Sequence, residues 1–403
     1  MVLRVRRVLA LLGPAFVAAV AYVDPGNFAA NFSAGAKYGY SLLWVLIVAN
    51  LMAMMVQYLS AKVGLVTGKS LPEVIAEKLG RKSRIAYWFQ AELVAISTDI
   101  AEVVGGAIAL NILFGLPLLV GAVITGIISM LLLRIYSTQG QRIFERVVVG
   151  LLMVIPLGFV VGLVMRPPDT SGLLAGMVPQ LHGTDMLLLA TAMLGATVMP
   201  HVVYLHSAMS RDRHGKKWGD ELKHLLRVTK ADVGVAMVIA GGVNISMLLL
   251  AASALRGLPG TDTLDGIYKV LNTDLSSLVG ALFGLSLLVS GFASTAVGGH
   301  AGAVIMEGML HKKVALHWRR LVTIVPAIFI VAIGVDPTFA LIISQVVLSF
   351  GIPFALIPLV LVTASRRIMK EGVNHLITTY ILGTITLLII VLNFALIWLT
   401  LFS

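Results

Sequence analysis

The chain has no cysteine and very little charge, and each shortage excludes a class of protein. Without thiols, no disulfide and no thiolate metal site can form, and nothing can be read about redox compartment. Charged residues make up only 12% of the 403, against 58% hydrophobic ones. A soluble domain carries roughly 25% charge. Too little polar surface exists to cover a globule in water, which leaves an all-α polytopic membrane protein. The apolar stretches are too long and continuous for barrel strands of ~10 alternating residues. Also missing are the His-Glu-x-x-His, Gly-x-Ser-x-Gly and Walker A patterns. No zinc hydrolase, serine hydrolase or ATP motor is therefore signalled, and neither an enzyme nor a cofactor is expected.

What is present is a series of apolar runs. They predict about eleven spans of ~20 residues, over 8–35, 40–66, 85–112, 117–134, 144–165, 184–210, 231–255, 275–308, 320–335, 338–363 and 375–402. The whole chain, 1–403, reads as one transmembrane domain with the first segment retained and no soluble domain appended. Counted by loop, 26 of the 30 Lys and Arg fall on one side, and only Lys37, Arg166, Arg256 and Lys269 on the other. By the positive-inside rule the N-terminus is cytoplasmic and, with an odd span count, the C-terminus external. The net charge of +11 is thus a property of loops between spans, not a nucleic-acid footprint. A short interfacial helix is expected to start at Leu71-Pro72-Glu73-Val74.

Two spans are interrupted. In the first, a carboxylate, a proline, a glycine and an amide follow one another at Asp24-Pro25-Gly26-Asn27. The helix should stop and restart there, with unsatisfied carbonyls near Tyr22 facing the gap. Asp24 and Asn27 make the local field negative, which suits a cation; the plainer reading is a proline kink with Asp24 capping the second half-helix. In span six, Pro200 frees a carbonyl about one turn earlier, near Ala196. Met199 adds a thioether there, a soft donor that prefers transition metals to Mg²⁺ or Ca²⁺, although most buried methionines only pack. His201 reads as a ligand, a proton carrier or a satisfied polar residue. Broken segments at corresponding places in two halves point to a transporter's binding site.

Span three carries Glu92, Asp99 and Glu102. At ~100° per residue, Glu92 and Asp99 lie about 20° apart and Asp99 and Glu102 about 60°, so all three share one face. A carboxylate row in a membrane must be neutralised by protons or partners. It suits a proton relay, or a structural set paired with Arg211, Arg319 or Arg320 at the ends of spans six and nine. Gln345 in span ten can join helices or reach a cation. Gly298 and Gly302 form a G-x-x-x-G that mostly means close helix packing.

Together these residues resemble the natural resistance-associated macrophage protein (Nramp) family of proton-coupled divalent-metal transporters. The motifs that carry the resemblance are Asp24-Pro25-Gly26-Asn27, Gly195-Ala196-Thr197-Val198-Met199-Pro200-His201, Tyr204-Leu205-His206-Ser207, Thr98-Asp99-Ile100-Ala101-Glu102 and Ser294-Thr295 through Glu307. The resemblance covers nearly the whole chain. It implies a leucine-transporter-type fold, with a five-plus-five inverted repeat over about 8–165 and 184–363 and an extra helix over about 375–402. It also implies a metal site of Asp24, Asn27, Ala196, Met199 and Gln345. The implied proton route runs through Asp24, His201, Asp99 and Glu102, extended by Glu92, Arg211, Arg319 and Arg320. The expected function is import of Mn²⁺, and of Fe²⁺ and similar ions, with protons across the inner membrane by a monomer. The alternatives are a sodium-coupled organic-solute or Mg²⁺ transporter of the same fold, and an intramembrane enzyme or sensor.

Overall fold

Every apolar run expected to span is built of helix over its described residues, because only a helix satisfies its own backbone without water. The computed structural model describes residues 13–312, 314 and 316–402, and among them there is no strand. The opening of span one, with Arg4, Arg6 and Arg7, and the loop residue Lys313 lie outside the described residues.

Span one is α1 (Pro14–Ala21) and α2 (Pro25–Tyr38). Span two is α3 (Leu43–Thr67). The short helix α4 (Leu71–Ala76) starts where the sequence placed it, through a capping box in which Ser70 and Glu73 satisfy each other's backbone N–H. Spans three and four are α5 (Arg81–Phe114) and α6 (Leu118–Gln139). Span five is α7 (Gln141–Val154) followed directly by α8 (Pro156–Met165), with Pro156 at the joint. After the small helix α9 (Thr170–Gly176), span six is α10 (Gly183–Thr197) and α11 (Pro200–His214). Span seven, α12 (Gly219–Ala254), begins twelve residues before the apolar run at 231. Its first turns carry Asp220, Glu221 and Lys223, which hydropathy alone discounts. After α13 (Leu264–Val270), spans eight to eleven are α14 (Ser277–Leu310), α15 (Leu316–Ala332), α16 (Pro337–Ala364) and, after the one-turn α17 (Arg366–Met369), α18 (Leu376–Phe402).

Nine of these segments among the described residues are long and apolar enough to cross a membrane by themselves. The two that are not are the broken first span and α15, whose 17 residues fall short of the ~20 a bilayer core asks for. Both are held by neighbours instead. Phe28 and Phe32 of α2 meet Phe159 of α8 and Phe283 of α14 at centroid distances of 5.1–6.0 Å. Two arginines of α15 anchor it to α5, as described below.

The loops divide as the charge count requires. Arg211 pairs with Glu73, Arg213 with Glu145, Lys62 with Asn374, and the Lys217 N–H donates to the Leu65 carbonyl. These contacts gather the basic loops at one end. At the other, Lys37 faces Asp185 at 3.9 Å, Ser253 donates to the Arg166 carbonyl, and Leu264 N–H donates to Thr338.

Candidate functional site

The two breaks meet in the middle of the bundle. Asp24 is the N-cap of α2: its Oδ1 accepts from the Asn27 N–H at 2.9 Å and from the Asn27 side-chain amide at 2.7 Å. Only one of the carboxylate's oxygens is used for the cap. Oδ2 accepts from the Gln345 amide at 3.3 Å. The Asn27 amide also donates to the Ala196 carbonyl at 3.0 Å. That carbonyl is free because the residue four places on is Pro200, which has no N–H to offer it. One hydrogen-bonded chain thus joins α2, the end of α10 and α16.

Every group bonded to Asp24 is a neutral amide. Asp24, Asn27, Ala196, Met199 and Gln345 are all fully buried, so the site is sealed from both ends. Two acceptors in it are left without a partner, Asn27 Oδ1 and Gln345 Oε1. Buried polar atoms normally find partners, and here two oxygens without one lie beside a carboxylate bonded only by amides. Met199 is the N-cap of α11 and makes no capping bond, which leaves its buried thioether uncommitted to the helix start. No group of three or more His, Asp or Glu side chains forms a metal cluster among the described residues. The polar groups joined here are one carboxylate, two side-chain amides and a backbone carbonyl, with the Met199 thioether at the second break.

Close backbone approach makes this possible. A Cβ on Gly26 would overlap the Gln345 amide, and one on Gly195 would overlap the Gln345 carbonyl. Glycine at these two positions is what lets α16 come against both breaks.

One sequence expectation about the first break is corrected. The carbonyls of Tyr22 and Val23 do not face the gap unsatisfied. Asn244 of α12 donates to Tyr22 O at 2.7 Å, and Ser290 of α14 donates to Val23 O. Helix ends buried in protein need such partners, and these come from helices far away in sequence. Asn244 also accepts from Asn31 at 3.1 Å, so it clasps both halves of the broken span. Beneath the break, Gln57 donates to the Tyr22 hydroxyl at 2.6 Å and its Oε1 lies 2.8 Å from His206 Nδ1. Asn244, Ser290 and Gln57 were missed because isolated polar residues in apolar helices give no pattern.

The carboxylate row is paired, and Gly298 and Gly302 explain how. Arg320 bonds Asp99, Ser129 at 2.7 Å and Thr295 at 2.9 Å, and lies 3.8 Å from Glu102. Arg319 forms a two-pronged pair with Glu92 at 2.8 and 3.0 Å. A Cβ on Gly302 would overlap the Arg319 guanidinium, and one on Gly298 would press on the Glu102 carboxylate. The G-x-x-x-G thus makes room for buried charges rather than only for a helix backbone. Arg211 is corrected: it pairs with Glu73 and with Asp212 at 2.7 Å at the basic end, not with the carboxylate row. Burial pushes Glu73 upward, but the Ser70 N–H and Arg211 outweigh it and hold that carboxyl below its ordinary range. Between row and breaks lies His201, whose Nδ1 sits 3.3 Å from the Thr98 hydroxyl while Nε2 has no partner.

Comparison with known proteins places the chain in a family. A family model described as "Natural resistance-associated macrophage protein-like" matches residues 15–399. A Mycobacterium tuberculosis protein named divalent metal cation transporter MntH is 54% identical over 391 residues, covering 97% of this chain and 91% of its own. The Bacillus subtilis protein of the same name is 46% identical, covering 96% and 92%. The crystal structure of an Eremococcus coleocola manganese transporter superposes with a TM-score of 0.87 at 30% identity, covering 96% of this chain and 86% of that one. MhsT, crystallised with L-phenylalanine, shares the fold alone, with a TM-score of 0.61 at 13% identity and coverage of 96% and 97%. With nearly its whole length matched and the two facing breaks in place, this chain belongs to the Nramp-like family.

Proposed function

We propose that the chain is a divalent transition-metal importer that moves Mn²⁺, and Fe²⁺ and similar ions, inward together with protons. The observation that carries the reading is the sealed Asp24 carboxylate, bonded only by neutral amides and flanked by two orphaned amide oxygens. The names of the relatives, divalent metal cation transporter and manganese transporter, support it. Asp24, Asn27, Gln345 and the Ala196 carbonyl supply hard oxygens to the metal, and Met199 supplies sulfur. The sulfur biases the site toward transition metals over the more abundant Mg²⁺ and Ca²⁺.

The metal and a proton compete for Asp24. When the metal binds, the proton leaves by way of His201 and the Asp99–Glu102 row, whose Glu102 Oε2 is without a hydrogen-bond partner. Glu92, Arg319 and Arg320 complete the route by holding that row in place. Alternating access exposes the same midplane site to each side in turn. The basic end of the bundle is cytoplasmic and the protein lies in the inner membrane.

The test is Mn²⁺ uptake into proteoliposomes by Asp24→Ala. Uptake is expected to fall to background; substantial uptake by the variant would overturn the ligand role. Calorimetric titration with Mn²⁺ against amino acids separates this reading from organic-solute transport.

A further inference from the structure

Away from the transport site, at the basic end, the C-terminus of α3, the start of α12 and the segment 369–372 enclose a cleft of about 210 Å³. Its wall includes Lys217, Trp218 and Lys370, and its only carboxylate is Glu371. Two ammonium groups converge on the Trp218 ring, Lys216 at 4.1 Å and Lys370 at 5.5 Å from its centroid. An indole face attracts both cations but neutralises neither. Lys217 is already paired with Glu221 at 2.6 Å. One turn before the cleft residue Val66, the buried Lys62 donates to the Asn374 side-chain Oδ1 at 3.0 Å and has no carboxylate partner among the described residues; the Asn374 side-chain nitrogen is itself unsatisfied. Lys370 sits at φ 47°, a left-handed conformation that non-glycine residues avoid. Strain of this kind persists where surrounding structure or function demands it.

Surplus positive charge, spare N–H donors and a half-exposed tryptophan at one membrane edge match one kind of ligand. We propose that this cleft binds a phosphate-ester anion, with the lysines on the phosphate and Trp218 at the level of the acyl–headgroup boundary. An anionic phospholipid of the basic-side leaflet and a soluble phosphate ester share that chemistry. The site is independent of the transport reading, and its readout is binding.

Melting of the detergent-solubilised protein is followed during titration with short-chain phosphatidylglycerol, phosphatidylcholine or glycerol phosphate. Phosphatidylglycerol is expected to raise the melting temperature and phosphatidylcholine not to. In Lys216→Ala/Lys370→Ala, both positions exposed, the midpoint should move about 30-fold higher, from the usual worth of two lysines at an anionic surface. Stabilisation by phosphatidylglycerol alone assigns the site to lipid. Equal stabilisation by glycerol phosphate keeps the anion site and makes a soluble ester its occupant. Identical titrations of wild type and double variant, or equal effects of the two lipids, would overturn it.

Discussion

Replacing Arg320 by methionine is the sharpest test of how the carboxylate row is held. Arg320 is 1% exposed, and its guanidinium is the shared cation for Asp99 and Glu102, with Ser129 and Thr295 taking two further N–H groups. Methionine fills similar volume but leaves Asp99 buried without its charge partner. Breaking such a pair from one side costs about 3–5 kcal/mol, mostly the penalty of the stranded charge. Removing Asp99's charge as well leaves only the more distant Glu102 carboxylate without Arg320, so Asp99→Asn/Arg320→Met should be less damaged than the two single losses added together. The coupling across that cycle should be on the order of 3 kcal/mol. Denaturant-induced unfolding in mixed detergent micelles, monitored by tryptophan fluorescence, gives the four stabilities. A single variant as stable as wild type, or a cycle that is simply additive, would refute the claim that Arg320 neutralises the row. Lysine should rescue poorly, because a point charge cannot reach Ser129, Asp99 and Thr295 at once.

Three other outcomes follow from the site. Met199→Ala should retain Mn²⁺ uptake while Ca²⁺ or Mg²⁺ becomes a better competitor, since only the soft donor is lost; unchanged selectivity in a competition series would make the sulfur a packing group. Gly195→Ala should cost about 1–3 kcal/mol through overpacking and weaken Mn²⁺ binding, because its Cβ would meet the Gln345 backbone. Gly242→Ala on α12, where nothing lies within 4 Å, is the control, expected to be neutral or to stabilise by up to about 1 kcal/mol. If both alanines behave alike in thermal melts and titration calorimetry, the close approach of α10 to α16 does not matter.

The sequence by itself determined the class, the span order and the two breaks. Hydropathy, loop charge and the chemistry of proline act over a few residues, so Asp24-Pro25-Gly26-Asn27 and Met199-Pro200 could be read without knowing any neighbour. The freed Ala196 carbonyl followed from Pro200 alone. What only the tertiary structure decided is which group answers which. Asn244 and Ser290 take the carbonyls of Tyr22 and Val23, Gln345 reaches Asp24, and Arg320 rather than Arg211 meets the carboxylates. A lone polar residue in an apolar helix shows that it needs a partner but not where the partner is, because that depends on packing between helices up to 321 positions apart in the chain.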